Sequence, residues 1–166
     1  LPSTGLHTNG YSLVRRVFGI GVGGDEQADR AVLERNYPGL EGTLADALLA
    51  VHRSYIAELK PLVPRLHGIA HITGGGILDN VPRILPDGLA ARFDRSSWQV
   101  PPLFALIQEK GNISETDMFH TFNMGIGIVT VAAREDARAI LRDLPDAWLA
   151  GEIVVRDEGM PQVIIG

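Results

Sequence analysis

Gly125-Ile-Gly-Ile-Val-Thr-Val-Ala132 reads as a strand, and Arg134 to Leu144 just after it reads as an amphipathic helix. In the strand, Val129 and Val131 continue the face on which Gly125 and Gly127 open the backbone to a ligand or a packed element. In the helix, Ala137, Ile140, Leu141 and Leu144 recur at the spacing of a buried stripe. Working outward, Gly68 to Thr73 predicts a second strand that runs into Gly74-Gly-Gly76. Ile77 to Val81 is then a helical turn stopped by Pro82, and Leu89 to Asp94 a further strand. Trp148 to Arg156 and Gln162 to Ile165 supply the last strands, with a turn at Glu158-Gly159.

The remaining helices carry start signals. Pro101-Pro102 opens Leu103 to Lys110, and Ser114-Glu-Thr-Asp117 has near-capping-box spacing. Asn9 is placed to cap a helix from Gly10 to Phe18, with Leu13, Val14, Val17 and Phe18 on its apolar side. Leu44, Ala47, Leu48 and Val51 predict another, and Tyr55, Ile56, Leu59 and Leu62 a further piece before Pro64. Helices and strands mix without a clean βαβ repeat, which favours an α+β fold with a helix-covered sheet.

The 166 residues fit one domain. A composition of 45% hydrophobic and 21% charged residues is that of a globular protein. The net charge of −5 argues against non-specific nucleic-acid binding, though not against a small pocket for a phosphorylated metabolite. Cysteine is absent, which excludes disulfides, thiolate metal sites and a cysteine nucleophile. No apolar run is long enough for a membrane helix, and the opening residues have no signal-peptide pattern, so a cytoplasmic location is expected. The chain opens on Leu1, and is expected to begin inside a longer one.

Four neighbourhoods carry groups capable of chemistry. In Gly5-Leu-His-Thr-Asn-Gly10, an imidazole, a hydroxyl and an amide sit beside a helix start; Asn9 is either a cap or an anion contact. In His71-Ile-Thr-Gly-Gly-Gly-Ile-Leu-Asp-Asn80, three glycines allow amide groups to face a ligand, or make a tight turn. His71 is the leading acid–base candidate there, with a packed histidine as the alternative. Asn123, in Phe122 to Gly127, either reads a base or fixes a loop, and Met124 is a core residue. Asp94 pairs with Arg95, caps a turn or positions a substrate. The histidines at 7, 52, 67, 71 and 120 form no compact ligand motif, so no metal site is expected from this chain. Asp25, Glu26 and Asp29 are either a solvated acidic loop or a magnesium contact.

Read together, these motifs carry a family likeness. Gly5-Leu-His-Thr-Asn-Gly-Tyr-Ser-Leu-Val-Arg15, Ala70-His-Ile-Thr-Gly-Gly-Gly76, Asn80-Val-Pro-Arg-Ile-Leu-Pro86, Ser97-Trp98, Thr121-Phe-Asn-Met-Gly-Ile-Gly127 and Gly151-Glu-Ile153 occur in order almost from end to end. The chain resembles the C-terminal domain of the phosphoribosylformylglycinamidine cyclo-ligases, also called aminoimidazole ribonucleotide synthetases. The resemblance implies a mixed, mainly antiparallel sheet covered by helices. It also implies that residues 1–166 are the substrate or cleft domain of a two-domain enzyme, with an N-terminal ATP-binding domain absent.

The implied reaction is ATP-dependent closure of formylglycinamidine ribonucleotide to aminoimidazole ribonucleotide, releasing ADP and phosphate. ATP and Mg2+ would be held largely by the N-terminal domain, in a homodimer. The resemblance places Thr8, Asn9, Thr73, Gly74, Gly75 and Gly76 in phosphate binding or orientation, with Asn80, Asn123 and Gly125 shaping the same cleft. His7 and His71 are its acid–base or electrostatic candidates. Two departures stand out. Around Val51 to Ile56 the family commonly has Pro-Thr-Arg-Ile-Tyr-Val-Lys, of which only Arg53 and Tyr55 keep their type, leaving Arg53 as a phosphate contact without the usual lysine. His120 stands where an arginine is common.

Formylglycinamidine ribonucleotide synthase, selenophosphate synthetase, thiamine-monophosphate kinase and the hydrogenase-maturation dehydratase share the two-domain plan, but the His71–Pro86 series and Phe122–Gly127 favour the cyclo-ligase. A non-catalytic binding or assembly module retaining the fold is the alternative of a different class.

Overall fold

The computed structural model describes all residues, Leu1 to Gly166. It has the mixed α+β architecture, built on two small sheets instead of one. β1 (Leu66–His71) pairs antiparallel with β3 (Ile128–Ala132), with a register irregularity between Leu66 and Gly68. β2 (Leu89–Phe93) lies between β4 (Gly151–Val155), antiparallel to it, and β5 (Val163–Ile165), parallel to it.

α1 (Tyr11–Phe18), α6 (Pro102–Gly111) and α7 (Glu115–Thr121) enclose the main core around Phe104 and Phe122, whose rings meet edge to face at 5.8 Å. α5 (Gly76–Asn80) packs on α7. α2 (Glu26–Leu33) is peripheral and buries none of its residues fully. α3 (Leu44–Leu48) begins with a reciprocal capping box between Thr43 and Asp46. A second apolar cluster joins α4 (Ile56–Leu59) and α8 (Arg134–Asp143) to the β1–β3 sheet through Tyr55, Leu59, Leu62, Ile128, Ile140 and Leu144.

Three local expectations are corrected. Asn9 does not cap α1: Gly10 occupies that position in a left-handed conformation, and no side chain caps the helix. The third strand begins at Ile128, because Gly125 has φ +98° and its backbone is turning. There Trp98 Nε1 donates to the Met124 carbonyl, 3.1 Å away. Val51 and Ile56 are exposed, since α3 ends at Leu48 and Pro61 and Pro64 lie in a separate 3-10 turn, Lys60–Arg65, after α4. Asp25 and Asp29 fit the solvated reading: at exposed contacts, Asp25 caps α2 and Asp29 accepts from the Gly21 amide. Asp94 likewise caps a turn, accepting from the Ser96 amide at 2.9 Å.

Candidate active site

The loop from Gly5 to Gly10 departs from regular structure at successive positions. His7 and Thr8 both have positive φ, at 51° and 67°, a region L-residues seldom occupy without compensation. Compensation comes from within the loop. Leu6 is buried, the Asn9 amide donates to the His7 carbonyl at 2.8 Å, and the Thr4 N–H donates to His7 Nε2 at 2.9 Å. The last contact requires Nε2 to be unprotonated and puts the proton of neutral His7 on Nδ1. Nδ1 is buried and has no partner.

The glycine loop faces this segment, and a Cβ at Gly74 would lie 3.4 Å from Asn9 Oδ1. Gly76 closes a turn by donating to the Thr73 carbonyl at 2.9 Å, while the Gly74 and Gly75 amides make no bond within the chain. Buried Asn80 holds the loop from behind. Its Nδ2 donates to the carbonyls of Gly76 at 2.7 Å and Gly74 at 3.2 Å, and its Oδ1 accepts from the Thr73 hydroxyl at 3.2 Å.

His71, at the end of β1, completes one wall. Its ring centroid is 6.4 Å from that of His7. Between them stands His52, stacked on His7 at 3.9 Å and with Nε2 at 3.2 Å from His71 Nε2. Each of the three offers a ring nitrogen, all within 4.8 Å of one another. No motif of the sequence joins these three histidines; the fold brings them together. His52 is the site residue that sequence reasoning passed over; no spacing rule links it to His7 or His71. A groove of about 500 Å³ opens beside it, lined by His52, Arg53, Tyr55, Lys60 and His71.

Other candidates take different places. Arg53 is held by Glu58 and by Asp146 at 2.9 Å, and its guanidinium lies over the Tyr55 ring. A phosphate at Arg53 must therefore compete with two carboxylates. Asn123 is buried and fully engaged: Oδ1 accepts from Ser3 Oγ and the Gly125 amide, and Nδ2 donates to the Gly5 carbonyl. It anchors the His7 loop from beneath, and its amide is taken up within the chain. Gly125 is also internal, as a Cβ there would meet the Pro101 ring at 2.6 Å. His120 lies on α7 opposite Asp79, 3.6 Å away.

Burial, then the neighbouring His52 and His71 charges, lower the His7 pKa to about 4. Burial first, then His52, also holds His71 below its ordinary value. At neutral pH both rings are therefore neutral and able to accept a proton. Stability follows by linkage. Between pH 6.5 and about 4 the unfolded chain binds a proton that folded His7 does not, so stability rises with pH there and is lost as pH falls. A loss on the order of 2 kcal/mol is expected across that window, allowing for relaxation of the more exposed neighbours. Denaturant midpoints between pH 7 and 4.5, with chelator present, check it. His52→Asn removes one of the charges acting on His7 and should make the decline shallower.

These features define an α+β domain whose two polar loops and imidazole cluster converge on one cleft, the arrangement of a binding or catalytic site. The chain belongs to the AIR synthase related protein, C-terminal domain family, whose model matches residues 1–164. It is 43% identical to the phosphoribosylformylglycinamidine cyclo-ligase of Desulfitobacterium hafniense over 96% of this chain and 46% of that protein. The cyclo-ligase of Pseudothermotoga lettingae is likewise 43% identical, with the same coverage. The human trifunctional purine biosynthetic protein adenosine-3 is 39% identical over 98% of this chain and 16% of its own length. The chain thus spans about half the length of the cyclo-ligases it matches. No helix is long and apolar enough to cross a membrane.

Magnesium does not fit the residues present. The one grouping of three or more potential ligand side chains is all imidazole, whereas Mg2+ favours oxygen ligands.

Proposed function

We propose that this chain is the C-terminal part of a phosphoribosylformylglycinamidine cyclo-ligase and forms the substrate side of its cleft. The supporting observation is the 43% identity to such enzymes across 96% of the chain. In this reading, ATP and magnesium are held by an N-terminal domain outside these residues, in a cytoplasmic homodimer.

The reaction transfers the terminal phosphoryl group of ATP to the formyl oxygen of formylglycinamidine ribonucleotide. The amidine nitrogen then attacks the activated carbon and closes the ring. Phosphate departs with that oxygen, leaving aminoimidazole ribonucleotide, ADP and phosphate. This chain's part is to orient the substrate and move protons. The free Gly74 and Gly75 amides bind the ribonucleotide phosphate or fix its orientation, joined by Asn9 and by the Thr8 and Thr73 hydroxyls when these turn from the His7 carbonyl and Asn80 Oδ1. Neutral His71 accepts the proton lost by the attacking nitrogen, with His7 beside it as an electrostatic neighbour.

The test joins this chain to an N-terminal ATP-binding domain of the same family. ADP release is then followed with formylglycinamidine ribonucleotide present and absent. Substrate-dependent ADP release and ring closure are expected, with His71→Asn lowering kcat by about 100-fold. The 166 residues alone should give no turnover. Failure of the two-domain protein to bind either ATP or the ribonucleotide would overturn the reading; substrate binding without turnover would indicate an assembly module.

A further inference from the structure

We propose that His7, His52 and His71 form a binding site for a transition-metal ion of the zinc class. Three observations carry this. The three imidazoles come from separate segments and present ring nitrogens within 4.8 Å of one another. His52 Nε2 and His71 Nε2 are in hydrogen-bond contact at 3.2 Å, near enough that a turn of His52 opens both to one tetrahedral zinc ion, whose nitrogens lie about 2.0–2.1 Å from the metal. His7 is 2% exposed, and its Nδ1 is buried with no hydrogen-bond partner.

The surroundings of His7 suit it as a ligand. Coordination through Nδ1 moves the ring proton to Nε2, which lies 3.1 Å from Thr4 Oγ1. That hydroxyl already donates to the Val51 carbonyl at 2.7 Å and has lone pairs free to accept. A chain from Nε2–H through Thr4 to Val51 would fix the ring as outer hydrogen bonds fix metal-bound histidines. The Thr4 amide gives up its bond to Nε2, but Thr4 is exposed and water can replace it. As they stand, the His7 and His52 rings are stacked at 16°, so both lone pairs converge only when His52 turns. His52 lies outside any helix or strand and is only half-buried, which makes it the ring free to do so. His71 is exposed, leaving a side open for water as a fourth ligand.

An all-imidazole set suits zinc, cobalt or nickel, and disfavours calcium and magnesium. This proposal does not depend on the cyclisation reading, since it concerns this chain without nucleotide or substrate. Where both hold, the metal would compete with the proton-accepting role of His71.

The test uses the metal-stripped 166-residue chain, titrated with Co2+ and followed by its visible ligand-field absorption, then displaced with Zn2+. One equivalent per chain with the bands of a four-coordinate ion is expected. His52→Asn should weaken binding at least about tenfold. This substitution is on a half-buried side chain, and a thermal melt confirms that the variant folds. His67→Asn and His120→Asn should bind like the parent. Imidazole nitrogen NMR should show the His7 proton moving from Nδ1 to Nε2 when Zn2+ is added. Absence of one-equivalent binding, equal affinity in His52→Asn, or loss of binding in His67→Asn or His120→Asn would overturn the proposal.

Discussion

Gly76→Ala is expected to lower the stability of the chain by more than about 3 kcal/mol. Gly76 has φ +58°, where a Cβ costs roughly 1–2 kcal/mol. The added methyl would also overlap the Phe119 carbonyl oxygen and come 2.8 Å from that of Phe122. Both obstacles are backbone atoms at the end of α7, so no side-chain rotation relieves them. α5 and α7 would have to separate, opening the core around Phe122 at a further cost of about 1–3 kcal/mol. Gly74→Ala is the internal comparison. Gly74 is outside the left-handed region, and its Cβ would meet Asn9 Oδ1 at an ordinary 3.4 Å. Its cost should stay below about 1 kcal/mol. Urea unfolding of the two variants reads the difference, and equal midpoints would contradict the packing argument.

Asn80→Ala should cost about 2–4 kcal/mol. The side chain is 4% exposed and donates to the carbonyls of both Gly74 and Gly76, while accepting from the Thr73 hydroxyl. Removing it leaves polar groups around the Gly76 carbonyl without partners and empties a buried volume. Asn80→Asp separates the two effects. The shape is kept, but a carboxylate has no donor for those carbonyls and would face them with negative charge. Asp should therefore be no better tolerated than Ala at neutral pH. Near-parent stability of Asn80→Asp would mean that shape alone, and not donation, holds the loop. On the proposed function, where this loop presents the Gly74 and Gly75 amides to the substrate, both variants should also weaken ribonucleotide binding by the chain joined to an N-terminal domain.

Much of the scaffold was legible because its signals are local. The Ala137–Leu144 stripe, the Pro101-Pro102 helix start and the Ser114 cap each depend on neighbours within a turn or two, and each occurs in the structure. Misreadings fell where local signals compete. Asn9 has the chemistry of a helix cap, yet Gly10 takes that place because the preceding loop runs left-handed. Val51 fits the helical spacing of Leu44 and Leu48, but α3 stops after one turn and leaves Val51 in solvent. Gly125 and Gly127 were legible as a close approach of backbone to a neighbour. That the neighbours are Pro101 and Tyr55 follows from packing alone.

Family, α+β class and the two glycine-bearing loops are readable along the chain, because ordered motifs and short-range periodicity are written in residue order. What stands in the cleft is set by packing between distant segments. His7 and His52 are separated by 45 positions and His52 and His71 by 19, and no local rule joins them. The antiparallel pairing of β1 with β3 sets His71 at its strand end, and Asn123 ties the loop carrying His7 to the segment leading into β3. Stacking then places His52 between them. The same packing assigned Asn80 and Asn123 to holding loops, since a buried amide must satisfy its own donors and acceptors before it can serve a ligand.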